Sequence, residues 1–173
     1  MDLALTPTQE ALRAEVRAWL AEHVPRGPEP ADRHEAYMYR RAWQGELARA
    51  GYVGITWPEA YGGRGLGAIE QAVVDEELAN ALAPLIAGQI GVSNIGPAII
   101  VAGTEEQKQR YLPTLRTGEA IWCQGMSEPG AGSDLAALRT KAVREGDEFV
   151  VNGQKMWCSD AHEADMCQLY VRT

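Results

Sequence analysis

The sequence predicts an α+β protein in which a helical domain over residues 1–120 precedes the opening strands of a β domain over residues 121–173. Before residue 120, apolar residues recur at the three- and four-residue spacing of amphipathic helices. After residue 120, short β-like runs flank polar turn pairs, and proline occurs only once. With 173 residues, the chain has the length of one domain and part of a second.

The first helix is predicted from Pro7 to about Val24. Thr6 is its expected N-cap, and Gln9 completes a capping box three residues later. The prolines at positions 25, 28 and 30 cannot continue the helix. The buried face is predicted from apolar residues four apart along the chain, which are Leu12, Val16 and Leu20.

A second helix is predicted from about Asp32 to Ala50, where Gly51 suits a left-handed helix end. Its apolar face carries Tyr39, Trp43 and Leu47. Residues 51–67 contain six glycines and a proline, so they are predicted to form a loop. A third helix is predicted over about residues 67–82.

Residues 78–104 carry no charged side chain, and a stretch of that length can span a membrane. Its interior polar residues and prolines favour instead a buried core helix with a break near Gly96 and Pro97. Thr104 and Gln107 form a second capping box. This box predicts a last helix over about residues 105–116 that ends before Gly118.

In the β domain, strands are predicted at residues 124–126 and 166–171. Between them, the segments 145–147 (Glu-Gly-Asp) and 152–153 (Asn-Gly) are both typical of hairpin turns, so β-like runs are predicted on either side of each. Four strands in about 50 residues would leave a sheet with open edges. We therefore expect the β domain to be incomplete in this chain.

Charge and cysteine content exclude several classes of function. The 16 basic and 24 acidic residues give a net charge of −8, which argues against binding to nucleic acid or to an anionic membrane. The three cysteines lack CxxC spacing, so neither a disulfide framework nor a zinc cluster is predicted. The N-terminus lacks the basic and apolar regions of a signal peptide, and the expected compartment is the cytoplasm.

Two other motifs carry little weight. The segment 63–67 (GRGLG) resembles a phosphate-binding loop, but no predicted strand precedes it and no Lys-Ser/Thr follows. Asp160, His162 and Asp165 have metal-ligating side chains, but a solvated turn is the favoured interpretation. No metal site is predicted.

Residues 122–134 carry a stronger chemical signal. They leave a strand and enter a turn rich in glycine and hydroxyl groups, where backbone N–H groups can approach an anionic or planar ligand. Composition alone favours a simpler structure, a β-turn capped by Ser127 and Asp134. Farther along, Trp157 presents an aromatic face beside the hydroxyl of Ser159, and the alternative there is a core tryptophan on a strand.

Four motifs together resemble the acyl-CoA dehydrogenase family, and the resemblance covers residues 3–173. In chain order they are AGYVGITWPEAYGGRGLG, GTEEQKQRYLPTLRTGEAIW, MSEPGAGSDLAALRT and VNGQKMWCS. The resemblance implies an all-α N-terminal domain and a β-barrel-like middle domain that binds FAD. The family's C-terminal helical domain has no counterpart in this chain.

The resemblance also implies roles for individual residues in cofactor binding. Gln124, Met126 and Ser127 fall where the family lines the flavin ring, with the Ser127 hydroxyl near the reactive ring nitrogen. Gly132 and Ser133 fall on the turn that approaches the cofactor's phosphates, and Ser133 also approaches the thioester substrate. Trp157 is expected to pack against the flavin ring, and Ser159 to reach the edge of the ring. Cys158 is also a cofactor-binding position, at which the family often has Ile or Thr.

The implied reaction is the FAD-dependent α,β-dehydrogenation of an acyl-CoA thioester, an oxidoreductase reaction of fatty acid and lipid metabolism. A carboxylate removes the α-proton while the β-hydride passes to the flavin. The family's catalytic Glu lies in the C-terminal domain, so no catalytic residue is assigned here and the chain alone is expected to be inactive. Glu128 is expected to hold the backbone of its turn.

The implied partners are an acyl-CoA substrate, an electron-transfer flavoprotein or similar acceptor, and further subunits of a homo- or hetero-oligomer. Two alternatives stay open. The chain is a non-catalytic short subunit that assembles with a full-length dehydrogenase, or it belongs to an acyl-CoA oxidase or flavin monooxygenase of the same superfamily. Chain length in the source organism tests the first alternative, and product analysis tests the second.

Overall fold

A computed structural model describes residues 4–173 of the protein. These residues form two compact units, one ending at Glu119 and the other spanning Ala120–Thr173. The first is helical, and the second consists of short strands and turns, which confirms the predicted α+β class. No helix within residues 4–173 is long and apolar enough to cross a membrane.

The helical unit is built from five α-helices within its described residues: α1 Pro7–His23, α2 Arg33–Arg49, α3 Ala68–Asn80, α4 Gly96–Ala102 and α5 Glu105–Thr117. The predicted loop over residues 51–67 is present and contains one 3₁₀ turn, Glu59–Tyr61. A π-helical turn, Gly91–Ile95, leads directly into α4.

Both predicted capping boxes are confirmed. At the start of α1, the Thr6 hydroxyl accepts from the Gln9 N–H at 3.3 Å, and the Gln9 side chain accepts from the Thr6 N–H at 2.9 Å. Thr104 and Gln107 repeat this arrangement at α5, with distances of 3.2 and 2.8 Å. Gly118 ends α5 with a φ of 79°, a left-handed conformation that glycine adopts without steric cost.

The predicted single helix across the uncharged stretch is wrong. Helix α3 ends at Asn80, Leu82 takes a positive φ of 52°, and helical structure resumes only at residue 89. The chain stays helical at Gly96 and Pro97, because the wider π turn before them accommodates a proline ring that clashes in a regular α-helix. Nor is the stretch buried throughout, since Leu82 is 87% exposed and Val101 is 86% exposed.

The core of the helical unit contains the predicted apolar face of α1 and the apolar residues of α2 and α3. Aromatic contacts extend it: the Trp19 ring lies 5.7 Å from that of Trp43 and 5.3 Å from that of Tyr52. Glu77 of α3 is buried and accepts two hydrogen bonds of 2.8 Å from the Arg17 guanidinium of α1. This bidentate pair fixes α3 against α1.

Gln44 of α2 is fully buried and connects three parts of the helical unit. Its amide nitrogen donates to the carbonyls of Leu115 and Arg116, near the end of α5, at 3.1 and 3.2 Å. Its amide oxygen accepts from the Gly88 N–H at 2.7 Å. The side chain therefore satisfies backbone groups that have no helical partner, which stabilises the end of α5 and the segment before α4.

The β unit contains four strands: β1 Trp122–Gly125, β2 Lys141–Glu145, β3 Glu148–Asn152 and β4 Met166–Leu169. Strands β2 and β3 form an antiparallel hairpin whose turn has Gly146 at a φ of 66°, as predicted. Strands β1 and β4 pair in parallel, with Trp122 opposite Met166 and Gly125 opposite Leu169.

The second predicted hairpin turn, at Asn152 and Gly153, is wrong. The chain leaves β3 there and runs without regular structure to residue 157. Gly153 lies so close to Thr140 that a Cβ at this position would clash with the threonine side chain. Position 153 is glycine because two segments approach each other closely here. An Asn-Gly pair in the sequence does not distinguish this close approach from a hairpin turn.

Candidate functional site

Strand β1 ends in a tight turn, which contains most of the candidate site. The N–H of Glu128 donates to the carbonyl of Ala131 at 2.7 Å, and the N–H of Ala131 donates back at 3.1 Å. A 3₁₀ turn, Leu135–Ala137, then leads toward β2. The predicted turn after β1 is thus present, but the predicted caps are wrong, because the side chains of Ser127 and Asp134 make no hydrogen bond within residues 4–173.

Glu128 organises this turn from inside. Its carboxylate accepts from the N–H groups of Arg139 and Thr140 at 2.6 and 2.9 Å, and from the Lys155 ammonium at 2.9 Å. The Thr140 side chain and the Lys155 ammonium lower the pKa of Glu128 to about 2, and the two N–H groups contribute. Glu128 therefore holds backbone, as expected, and its ionised, fully engaged carboxylate is a poor proton acceptor.

Two hydrogen bonds bring the segment around Trp157 beside the end of β1. The Lys155 ammonium donates to the carbonyl of Met126 at 3.0 Å, and the N–H of Met156 donates to the carbonyl of Ser127 at 2.9 Å. Residues 126–127 and 155–158, which are separated along the sequence, are therefore neighbours in space. Lys155 was not singled out by sequence reasoning, although it stands two positions before Trp157.

Trp157 is 83% exposed and has a φ of 57°. The alternative prediction of a core tryptophan on a strand is therefore wrong. A left-handed backbone at a bulky residue costs about 1–3 kcal/mol and is found mainly at functional positions. Exposure and strain together mark Trp157 as a residue whose flat face is available to a ligand.

The Ser127 hydroxyl has no hydrogen-bond partner among residues 4–173, although the residue is half-buried. The Ser159 hydroxyl likewise has none within this range, and Ser159 is exposed. Cys158 precedes Ser159 in the chain and is half-buried, with its Sγ 3.8 Å from the carbonyl of Met156. Both hydroxyl groups are therefore available to a ligand.

The glycine-rich part of the turn is open. A Cβ on Gly130 or Gly132 would meet no atom of residues 4–173 within 4 Å, and neither residue has a positive φ. Ser133 next to them is exposed. Packing and backbone conformation within the described residues therefore do not require glycine at position 132, and its backbone is open to approach.

Gln124 lies one strand position from the turn and has a structural partner. Its side-chain nitrogen donates to the side-chain oxygen of Gln168 at 2.7 Å, across the β1–β4 ladder. The side chain is half-buried. Its amide therefore bonds to β4 across the ladder and is engaged within the chain.

The three candidate metal-ligating residues do not converge. Within residues 4–173, no group of three or more acidic, histidine or cysteine side chains could hold a metal ion. Asp165 instead accepts from the Ile121 N–H at 2.8 Å, just before β1. Residues 158–163 form tight turns, with Ala161 and Glu163 donating their N–H groups to carbonyls three residues earlier.

Family comparisons match both units of the chain. The sequence profile described as acyl-CoA dehydrogenase, N-terminal domain, matches residues 6–119, and that of the middle domain matches residues 123–173. The chain belongs to the acyl-CoA dehydrogenase family. The predicted resemblance is thereby confirmed.

Individual members of the acyl-CoA dehydrogenase family agree with this assignment. Acyl-CoA dehydrogenase IpdE1 of Mycobacterium tuberculosis (strain ATCC 25618 / H37Rv) is 44% identical over 171 residues, which cover 95% of this chain and 44% of that protein. The crystal structure of the ChsE4-ChsE5 complex from Mycobacterium tuberculosis matches with a TM-score of 0.82 and 41% identity, covering 100% of this chain and 44% of that chain.

A third match is a glutaryl-CoA dehydrogenase from Mycobacterium smegmatis in complex with FADH2. It has a TM-score of 0.72 and 27% identity, covering 96% of this chain and 43% of that chain. This chain therefore spans less than half the length of the acyl-CoA dehydrogenases that it matches.

Proposed function

We propose that this chain supplies the N-terminal helical domain, residues 1–120, and the opening of the flavin-binding middle domain, residues 121–173, of an FAD-dependent acyl-CoA dehydrogenase. The whole protein would oxidise an acyl-CoA thioester to its 2-enoyl form. The observation that supports this function best is the half-buried Ser127 hydroxyl, which has no partner within residues 4–173 and lies in the segment bonded to Met156.

The residues present fit an FAD molecule. The exposed ring of Trp157 supplies an apolar face for a flat aromatic ring system. The free Ser127 hydroxyl can donate a hydrogen bond to the edge of that ring, and open backbone at Gly132 can approach the cofactor's phosphates. When bound, FAD supplies a hydride acceptor, which the side chains of this chain cannot provide.

Each site residue has a defined contribution in this proposal. Ser127 orients the flavin through its hydroxyl, and Trp157 covers one face of the ring and keeps water from it. Ser133 and Gly132 contact the cofactor's phosphates, with Ser133 also reaching the thioester substrate. Gln124 and Met126 contribute backbone groups that line the flavin ring. Cys158 packs beside the ring, and Ser159 places its hydroxyl at the ring edge.

Proton abstraction from the α-carbon is not assigned to this chain. Glu128 is the carboxylate nearest the proposed ring position along the sequence, but it accepts three hydrogen bonds and its pKa is lowered to about 2. A general base works best with a pKa near the working pH. Glu128 is therefore not proposed as the base.

The proposed partners are an acyl-CoA substrate, an electron-transfer flavoprotein or similar acceptor, and other subunits of an oligomer. A second candidate function is that of a non-catalytic subunit that assembles with a complete dehydrogenase. Support comes from the matched ChsE4-ChsE5 structure, which is a complex of two different chains. Co-purification with a second dehydrogenase chain that alone retains activity would favour this candidate.

Substitution of Ser127 tests the proposed cofactor contact. In the protein purified with its flavin, we expect Ser127→Ala to shift the flavin absorption spectrum and to slow flavin reduction by acyl-CoA. Ser127→Thr is the matched control, because it keeps the hydroxyl. An unchanged spectrum and an unchanged reduction rate in Ser127→Ala would contradict the placement of this hydroxyl, and peroxide as a stoichiometric product would favour an oxidase.

A further inference from the structure

Cys123 and Cys167 are direct partners in the parallel β1–β4 ladder. Neighbouring strands lie about 4.8 Å apart, which is within the range of Cα separations that a disulfide can bridge. Residues in register on adjacent strands project to the same face of the sheet. The two side chains therefore extend from the same face at a separation that requires only a small adjustment to bond.

The two thiols differ in access to solvent. Burial and the neighbouring Cys167 thiol raise the pKa of Cys123 to about 11. Cys123 is 5% exposed, whereas Cys167 is exposed. An oxidant in solution therefore reaches Cys167 first, and Cys123 lies beside it on the neighbouring strand.

We propose that Cys123 and Cys167 form an oxidation-sensitive thiol pair, which a hydroperoxide converts into a disulfide across β1 and β4. In the first step, the Cys167 thiolate attacks the peroxide O–O bond, giving a sulfenic acid on Cys167 and an alcohol or water as leaving group. In the second step, the Cys123 sulfur attacks the sulfenic sulfur, an S–S bond forms, and water leaves. The peroxide is reduced by two electrons and the two thiols are oxidised.

The bridge forms within a ladder that is already held by neighbouring bonds. Gln124 bonds to Gln168 one position farther along, and the Tyr170 N–H donates to the carbonyl of Gly125 at 3.0 Å. These contacts keep the two cysteines in register. In a parallel ladder, the Cα atoms of paired residues are separated by a distance near the lower limit for a disulfide. The disulfide is therefore strained, and thiol reductants reduce it readily.

Cys158 is the competing thiol in this unit. It is half-buried, and its charge influences Cys123, but it is not a ladder partner of either cysteine. The proposal therefore assigns the disulfide to Cys123 and Cys167 and leaves Cys158 reduced. This pairing does not depend on the flavin or on the proposed enzymatic function.

Hydrogen peroxide treatment of the purified chain, followed by alkylation and intact-mass and peptide mass spectrometry, tests the pair. We expect loss of two hydrogen atoms, a linked peptide pair containing Cys123 and Cys167, an alkylated Cys158, and full reversal by dithiothreitol. Cys158→Ser is the matched control and should form the same link. Cys167→Ser should abolish it, and since Cys167 is exposed, this variant is expected to fold.

Three outcomes would overturn the proposal. One is a Cys167 that accumulates as sulfinic or sulfonic acid while Cys123 stays reduced. A second is a link that includes Cys158 in the wild-type chain. The third is a disulfide between two chains through Cys167, which size-exclusion chromatography under non-reducing conditions would detect as a dimer.

Discussion

The Lys155 ammonium lies 2.9 Å from a carboxylate oxygen of Glu128, and both side chains are less than 10% exposed. The pair joins the turn after β1 to the segment before Trp157, because Lys155 also donates to the carbonyl of Met126. Removing only one partner of such a buried ion pair strongly destabilises the fold, since the other charge stays buried without its partner.

The first prediction concerns the acid stability of this pair. The pKa of Glu128 is about 2 in the folded protein and near 4.5 ordinarily, so its carboxylate stabilises the fold above pH 4.5. That stabilisation is lost as the pH falls from 4.5 toward 2. We expect Glu128→Gln to lower the free energy of unfolding at pH 7, with the difference from wild type disappearing by pH 2.

Urea denaturation at a series of pH values measures this difference. Glu46→Gln is the control, because Glu46 is exposed on α2 and has no partner among residues 4–173. If the difference in unfolding free energy between Glu128→Gln and wild type did not change with pH, the contacts of Glu128 would not lower the pKa of its carboxyl.

The second prediction separates stability from ligand binding at Trp157. Because its φ is 57°, Trp157→Gly relieves a strained backbone and should raise the free energy of unfolding by about 1 kcal/mol. The same change removes the exposed ring and should weaken flavin retention. Trp157→Asn, which tolerates a left-handed backbone, is the matched variant with an intermediate stability.

Chemical denaturation and flavin content after gel filtration are the two measurements. A loss of stability in Trp157→Gly would mean that the ring packs against the protein. Full flavin retention would contradict the proposed contact between the ring and the cofactor.

The third prediction contrasts two glycines. A Cβ on Gly63 would overlap the backbone carbonyl of Trp57, so Gly63→Ala should destabilise the helical unit by about 3 kcal/mol. Gly132→Ala meets no atom and should leave the free energy of unfolding unchanged, while it lowers flavin or acyl-CoA affinity. If Gly132→Ala bound both ligands normally, the glycine-rich turn would have no role in contacting them.

The fourth prediction concerns Gln44. Gln44→Leu leaves the Gly88 N–H and two carbonyls near the end of α5 without their partner, and buried unsatisfied groups of this kind cost about 1–3 kcal/mol. We expect a lower melting temperature by differential scanning fluorimetry. The control is Gln109→Leu on the exposed face of α5. Equal melting temperatures for the two variants would show that these hydrogen bonds add no net stability.

Local signals in the sequence predicted the helix ends well. The capping boxes at Thr6 and Thr104 and the left-handed glycine predicted at Gly51, whose φ is 81°, depend on contacts within one turn, so the structure agrees with each. The hairpin around Gly146 also depends on contacts between residues close together in the sequence. A reader of the sequence can therefore place α1, α2, α5 and the β2–β3 hairpin to within a few residues.

Features that depend on distant contacts were not predictable in this way. Gly153 resembles a turn residue, but it is glycine because Thr140 approaches it. Lys155 gave no signal of its own, since its partners Glu128 and Met126 are remote in sequence. The left-handed backbone at Trp157 contradicts the local preference of a bulky residue, and nothing in the neighbouring sequence signals it.

The parallel pairing of β1 with β4 also has a kinetic consequence. Gln124 and Gln168 are 44 residues apart, whereas the β2–β3 hairpin closes over a short turn. Contacts between distant residues form later than local ones, because the chain between them must first be ordered. On the ribosome, β1 therefore stays without its partner strand until β4 has emerged, and the turn that contains Ser127 gains its contact with Met156 only after that residue has been synthesised.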